Sequence, residues 1–569
     1  MSSTPRAVGV LAEQVRDLHD CLALVRTSYG TKPSFRASPR AHLLTAARAL
    51  GAPVWQALDD MVASVCRSVL QTVPTFWRIA RNHAEGKAGT GRGDARSGAG
   101  ATSTYSARAI YTQSRSWAVE SIQQFIRQIR HVFEQEPFGA RVDQAMFARP
   151  PAWVPEPTCS LSTTHYMSSI LGTLANTVQE LEALAVPGTA AQLQSLLLDT
   201  RFQFTEVLCF LWLRDARLCH HLETWVPNTQ QPSITSYLFT LSVFNRWNAR
   251  EGFYMAGARS KADPSSAGVE TAIYAACCRR LKLAFVDALH AFLDGIVSAA
   301  IASGEAHDAV PHMRQAPDDT PRVPDRDTRI LMSVSNLSHL RHHVVAAWMK
   351  QFQDAYHVSL ADEQKQILDA CAKHDHDLLQ DYVQRQGDAV THIIHAGILE
   401  SGVPWDTLPN PHGVNAFIYQ ALLRLVQVHA QVRATVPSLA SRVISALVEM
   451  MANAALYAYS RVPQFNMGGM LQATLEIEFV HQTMAHHVTP HAEATLKLVY
   501  ETISQRYSAS AANASAQTGA LQQELENVKR TLVASRKATA LEFLCFRRPK
   551  GSDKDAGRSG GGGSRRGKT

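Results

Sequence analysis

The chain has 569 residues, 46% of them hydrophobic and 18% charged, with 56 Lys or Arg against 49 Asp or Glu and a formal net charge of +7. That is ordinary material for packed cores, and the length suits roughly three or four domains or one extended array. Eight basic residues and two Asp fall in the last stretch, 547–569, so the rest is close to neutral, which argues against a body built to bind nucleic acid.

Residues 10–85 carry a helical pattern. A Gly-, Ala-, Ser- and Arg-rich stretch at 86–106 has little apolar surface to bury and is expected to form a flexible loop. The helical pattern resumes around Trp117, with Ile122, Phe125, Ile126, Ile129 and Phe133 on one face, and the Pro-rich run 150–157 stops it. Residues 164–225 give two long helices split near Pro187 and Gly188, and 239–255 and 272–302 continue the pattern. Residues 307–328 are polar and rich in Pro and Asp, a second loop. Beyond 329 the stripes are clearest. One set is Val414, Phe417, Ile418, Ala421, Leu422, Leu425, Val428 and Val432. The next is Val443, Ile444, Leu447, Val448 and Met451, and a third is Leu471, Leu475, Phe479, Val480 and Met484. Steps of three and four put each set on one helix face, which must be buried against other helices. A break at 403–413 carries Pro404, Pro409 and Pro411, and Thr489 before Pro490 reads as an N-cap and first helical residue. Leu521, Leu525, Val528 and Leu532 cover only two heptads, which fits docking onto a bundle better than an independent coiled coil. No alternating strand pattern and no fixed-period repeat is present. The fold class is therefore all-α.

The expected organisation is an N-terminal helical segment at 1–85, the loop 86–106, a helical bundle region at 107–306, the polar loop 307–328, helical bundles at 329–546 and a disordered basic tail at 547–569. The best candidate for a membrane span, 281–302, contains Asp287, His290 and Asp294, which are costly in a bilayer. The first residues, MSSTPRAVGV, lack the charged and apolar regions of a secretory signal. Nine scattered cysteines, without a CxxC pair, suit reduced thiols. A soluble cytosolic protein is expected.

Motifs that carry chemistry are missing their partners. Gly86-Lys87 is followed by Ala88 and no strand precedes it, so no phosphate-cradling loop forms. Asp59-Asp60 and Asp318-Asp319 lack the third Asp of a magnesium-holding DDxxD face. The adjacent pairs His220-His221, His342-His343 and His486-His487 belong to no HExxH motif, and no GxSxG elbow is present. No catalytic, cofactor-binding or metal residue is assigned, and no enzyme is expected. In the tail, Arg547, Arg548, Lys550, Arg565, Arg566 and Lys568 either lie on an anionic membrane, at about 1 kcal/mol per basic residue, or form a solvated end dispersed by glycine.

Several segments resemble the exocyst complex component two family. Residues 330–352 (ILMSVSNLSHLRHHVVAAWMKQF) are similar to its apolar run leading through Ser-Asn to a Leu-x-Arg-His helix. The stronger match comprises 378–382 (LLQDY), 388–405 (DAVTHIIHAGILESGVPW) and 413–432. There Gly397, Ile398 and Trp405 match the family's E-x-G-I-Y-x-G-x-x-x-W turn. Val428, His429, Ala430 and Val432 match its V-H-A-E-V helix end, with Gln431 in place of the acidic residue. Ser441-Arg442-Val443 opens a helix as in the family. Residues 470–478 (MLQATLEIE), Val488-Thr489-Pro490 and Leu544-Cys545-Phe546 are similar to its A-L-Q-A-R-L-E-I, Y-L-T-P and L-T-C-F.

The resemblance implies an elongated rod of consecutive helical bundles of the tethering-complex type. It implies a non-catalytic subunit of the exocyst that tethers secretory, post-Golgi vesicles to the plasma membrane before fusion, without a cofactor. Implied partners are the other subunits of an octameric hetero-oligomer, small GTPases and anionic membrane lipids. The implied location is cytoplasmic, peripheral at plasma-membrane sites of polarised secretion. Animal members begin with an immunoglobulin-like Ral-binding domain and a coiled coil. No strand-rich segment is read here, so the chain is expected to be the helical body, as a short member or an incomplete gene product. The competing readings are a subunit of another multisubunit tethering complex, a generic all-α scaffold, and an all-α enzyme. Two structural expectations follow, the first from rejecting the enzyme and the second from the resemblance-independent position of a turn tryptophan. No cluster of three or more titratable residues should line a deep pocket, and Trp405, between Pro404 and Asp406, should plug a seam between bundles.

Overall fold

The computed structural model describes residues 13–23, 52–84, 100–133, 150–155, 158–257, 275–302, 324–508 and 518–547. The expectations for 86–99, for 307–323 and for the tail beyond Arg547 lie outside these. Within them the architecture is all-α, and the one β feature is an isolated antiparallel bridge between Pro227 and Thr235.

The chain divides into two compact units, one of Met1–Arg326 with Asn336–His374, the other of Asp327–Ser335 with Asp375–Thr569. In chain order the first unit holds α1 (13–23), α2 (Ala52–Ala84), α3 (Gly100–Phe133), α4 (Ser160–Ala183), α5 (Ala190–Leu218), α6 (Tyr237–Met255) and α7 (Ala275–Ile301). Next come α8 (Arg326–His339), a π turn at Leu340–Val344 and α9 (Val345–Tyr356). The unit boundary falls inside α8 and again inside α10 (Ala361–His395). The second unit continues through a π turn at Ala396–Glu400 to α11 (Ala416–Thr435), α12 (Ala440–Tyr459), α13 (Met467–Thr483), α14 (Pro490–Ser508) and α15 (Thr518–Ala538).

In the first unit α2 packs on α3 and α4, α4 on α5 and α6, and α5 and α6 on α7. Aromatic rings carry this packing. Trp55 stacks on Tyr166 at 5.4 Å, Trp153 meets Phe133 and Phe204 at 5.4 Å each, and Phe285 stacks on Phe352 at 4.4 Å. Such pairs favour offset or edge-to-face geometry and fix helices against each other. In the second unit α12 packs on α11 and α14, and α13 on α11, α14 and α15. The α12 stripe Val443, Ile444, Leu447, Val448 and Met451 is buried throughout, worth roughly 10 kcal/mol before the cost of ordering the chain. Thr489 caps α14 as its sequence suggests, its hydroxyl accepting the Ala492 N–H at 3.2 Å. Val528 and Leu532 of α15 are buried, while Leu525 is 37% exposed.

One boundary differs from expectation. α3 begins at Gly100, so 100–106 is helical backbone, not loop. The next residues, Arg108, Ala109 and Ile110, are exposed, and a helix that faces solvent carries no apolar stripe to betray it. Two helical stretches, Ala275–Ile301 and Pro437–Tyr459, are long and apolar enough to cross a membrane. They are 67% and 56% buried within the protein, as core helices are.

Candidate functional site

Gly397, Ile398 and Trp405 come together in the second unit. The π turn at Ala396–Glu400 ends a helix, and helix ends leave carbonyls without intrahelical donors. Side chains from the following loop supply them. Ser401 Oγ donates to the Gly397 carbonyl at 2.6 Å, and Trp405 Nε1 donates to the Ile398 carbonyl at 2.9 Å. The Trp405 indole is 5% exposed and meets Tyr459 and Phe465 edge-on at 5.6 and 5.8 Å. It fills a seam inside the unit, between the end of α10, α12 and the start of α13. Gly397 has no room for a side chain, since a Cβ there would stand 2.1 Å from Cγ of Phe417.

The loop backbone is gripped by the first turn of α13. Asn466 caps that helix, accepting the Gly469 N–H at 2.7 Å, and its Nδ2 donates to the Leu408 carbonyl at 2.9 Å. Its own N–H donates to the Trp405 carbonyl at 3.0 Å. A Cβ on Gly469 would lie 2.1 Å from the Trp405 oxygen, and one on Gly468 2.1 Å from the Leu408 oxygen. Only glycine permits that approach. Behind the loop lies Glu476, fully buried, accepting from Gln472 Nε2 and Tyr459 Oη at 2.7 Å each and from Asn415. Burial pushes its carboxyl up to about 7 against those hydrogen bonds.

His429 lies elsewhere in this unit. With His487 it sandwiches Phe546 edge-on, at 5.8 and 6.0 Å, so the Leu544-Cys545-Phe546 turn is docked rather than loose. Burial holds both imidazoles below their usual range, with Arg433 adding to the effect at His429 and His429 and His486 at His487. Of the basic residues expected to meet lipid, Arg547 is exposed at the end of that turn. Arg548, Lys550, Arg565, Arg566 and Lys568 lie outside the described residues.

Sequence reading missed the buried carboxylates. In the first unit Glu223 accepts the Trp225 N–H at 2.7 Å and the Thr235 hydroxyl at 2.9 Å, and burial pushes it up to about 7. Asn336 clasps the same Thr235, accepting its N–H and donating to its Oγ1, both at 2.9 Å. At the start of α4, Asp17 accepts the Cys159 N–H at 2.8 Å and Asp215 accepts the Ser160 N–H at 2.5 Å. Two carboxylates thus face the positive end of a helix. Burial still raises Asp17 to about 6. The Asn466-Met467-Gly468-Gly469 run did carry a readable signal, an N-cap residue followed by paired glycines.

Among the described residues, Asp17, Cys21 and Cys159 have ligand atoms within 4.8 Å of one another, the spacing a metal would want. Both Asp17 oxygens are engaged, one by the Cys159 N–H and the other by the Cys21 thiol at 3.9 Å. The group is satisfied within itself. The groove between α2 and α3, about 770 Å³, is walled by Ser64, Ser68, Thr72, Phe76 and Trp117, with Glu120 and Arg127 its ionisable groups. A cavity in the second unit, about 10 Å³, is apolar apart from Tyr459 and His481.

The family model of Exocyst complex component Sec5 matches residues 27–546. Exocyst complex component 2 of Mus musculus is 22% identical over 355 residues, 60% of this chain and 37% of that protein. Exocyst complex component 2 of Homo sapiens is 26% identical over 180 residues, 32% of this chain and 19% of that protein. The chain thus aligns with well under half the length of these curated relatives. No solved structure matches it. With a match that runs from before α2 to the Phe546 turn, the chain belongs to the Exocyst complex component Sec5 family.

Proposed function

We propose that this protein is a non-catalytic subunit of the exocyst, contributing helical surface to an assembly that tethers secretory vesicles to the plasma membrane before fusion. The family match across 27–546 carries the reading. The chemistry supports it, because the buried ionisable groups cap helices and pin loops instead of facing a cavity where a substrate could bind. Its partners are the other exocyst subunits, held by apolar contact faces with polar rims. Small GTPases and anionic lipid are further partners, the latter met by Arg547, Arg548, Lys550, Arg565, Arg566 and Lys568. It works in the cytoplasm, at the plasma membrane. Affinity purification of the tagged chain, with identification of what is retained, tests this. Recovery of exocyst subunits is expected, and recovery of a different tethering complex in their place would refute it.

A further inference from the structure

Asp17 and Cys21 stand four residues apart on α1, so both side chains leave the same face of that helix. Both are buried, at 2% and 0% exposure, and they meet Cys159, 1% exposed, at the N-cap of α4. Asp17 Oδ1 lies 3.9 Å from Cys21 Sγ, and one ligand atom from each of the three residues lies within 4.8 Å of the other two. Tetrahedral zinc, with Zn–S about 2.3 Å and Zn–O about 2.0–2.2 Å, holds its ligand atoms roughly 3.5–3.8 Å apart. Small side-chain adjustments close that difference. A disulfide needs its sulfurs at about 2.05 Å and gives the carboxylate no part.

The surroundings hold these atoms in place. The Cys159 N–H fixes Asp17 Oδ2 at 2.8 Å, which leaves Oδ1 to face the Cys21 sulfur. The backbone on both sides of Cys159 is gripped as well. Arg214 donates to the Thr158 carbonyl at 2.6 Å, and Asp215 accepts the Ser160 N–H at 2.5 Å. Outer hydrogen bonds of this kind orient the ligands of metal sites. Ser162 Oγ, 3.5 Å from Cys159 Sγ, supplies a further oxygen. Charge points the same way. Asp215 is paired with Arg214 at 2.8 Å, whereas Asp17 has no ion pair among the described residues. A buried carboxylate is ordinarily paired or bound to a metal.

As thiols, Cys21 and Cys159 leave the group satisfied within itself. As thiolates they exchange their protons for a cation, the way zinc enters a cysteine site. We propose that Asp17, Cys21 and Cys159 form a structural zinc site that ties α1 to the start of α4. Two sulfurs with one carboxylate select zinc over magnesium or calcium, which take oxygen ligands. A helix as short as 13–23 is marginal alone and gains from such an anchor.

The test uses the purified full chain, with cobalt(II) loaded in place of zinc. Cobalt held by thiolates shows sulfur-to-metal charge-transfer absorbance in the near ultraviolet, which sites made of histidine and carboxylate lack. The parent should show this band, and added zinc should abolish it. Cys21→Ser and Cys159→Ser should each lower it by about half or more, since each removes one of two sulfurs. Asp17→Asn should keep the band and weaken zinc affinity at least about tenfold, the loss that follows removal of even an outer partner. Cys66→Ser, at a buried thiol on α2, should change nothing. Circular dichroism reports folding. Where a variant misfolds, the parent carries the test. In mild urea, zinc should protect Cys21 and Cys159 from alkylation, relative to chelator-treated protein, and leave Cys66 as it was. A parent without the band, or a band unchanged in folded Cys21→Ser or Cys159→Ser, overturns the proposal. So does equal alkylation of Cys21 and Cys159 with and without zinc, and so does a Cys21–Cys159 disulfide trapped by alkylation in the lysate. No partner protein enters these measurements, so they stand or fall separately from the co-purification result.

Discussion

Trp405→Ala should unlock the seam that joins the end of α10 to the start of α13. The indole is almost fully buried, and a Trp of this kind hides about 150–250 Å². At about 25 cal/mol per Å² this is roughly 4–6 kcal/mol of transfer free energy, of which relaxation around the cavity recovers part. The Nε1 bond to the Ile398 carbonyl is lost as well, about 1 kcal/mol, though water entering the vacated space can replace it. A net loss of about 4 kcal/mol follows, inside the range of about 3–5 kcal/mol for large aromatic truncations. In a unit of this size each kcal/mol moves the midpoint by about 2–4 °C, so differential scanning calorimetry should show Tm falling by roughly 10 °C. Trp405→Phe keeps most of the ring contact with Tyr459 and Phe465 and removes the donor, so it should cost about 1–2 kcal/mol. Retention of exocyst subunits below the lowered Tm should be unchanged. A shift under about 2 °C for Trp405→Ala would show that the ring contributes little to the unit and belongs to an outer contact.

Gly469→Ala places a methyl carbon against the Trp405 carbonyl, which is backbone and cannot turn away, so the loop must lift and stability should fall by about 2 kcal/mol or more in urea titration, against about 1 kcal/mol gained in helix propensity. Glu476 titrates from an ordinary 4.5 to about 7 on folding, so between those values the folded chain holds a proton the unfolded chain has released. Its contribution is full below pH 4.5 and is lost as pH rises through 7. Glu476→Gln should therefore raise Tm at pH 8 relative to the parent and leave little difference at pH 5. Comparing the two proteins cancels the opposite trend of His429 and His487, whose lowered pKa values withdraw stability as pH falls. Asn336→Ala strips two buried hydrogen bonds from Thr235 and should cost about 2 kcal/mol, with faster amide hydrogen exchange at Thr235; unchanged exchange there would deny the clasp.

What the sequence made legible were the stripes. Val443, Ile444, Leu447, Val448 and Met451 recur at steps of three and four because one face of α12 is buried, and all five are. The loop prolines and the Thr489 cap were readable for the same local reason. Other features depend on what a residue meets far along the chain. Glu476 sits between Leu475 and Ile477 and reads as a surface position, yet its partner Tyr459 comes from another helix. The unit boundary was sought in loops and falls inside α8, because Asp327 bonds to Arg385 and Gln386 while Asn336 bonds to Thr235. The first π turn adds a residue to its helix, and the buried stripe steps by five there, from Leu340 to Val345, where the sequence reading looked only for threes and fours.

The buried carboxylates bear on why a protein of this family tolerates an energetic disadvantage. Raising Glu476 and Glu223 to about 7 means that each charged form is disfavoured at neutral pH by roughly 3 kcal/mol relative to water. An apolar side chain would fill either site more cheaply. It would not distinguish one loop position from another, because apolar contact has no direction. Glu476 does so by joining donors from residues 415, 459 and 472, and Glu223 by joining the amide of Trp225 to the hydroxyl of Thr235. Each carboxylate thereby fixes a non-helical segment to its unit in one arrangement. A catalyst could leave such loops free to close on a substrate. A subunit of the kind proposed above, offering the same surface to its neighbours each time, gains more from holding them still.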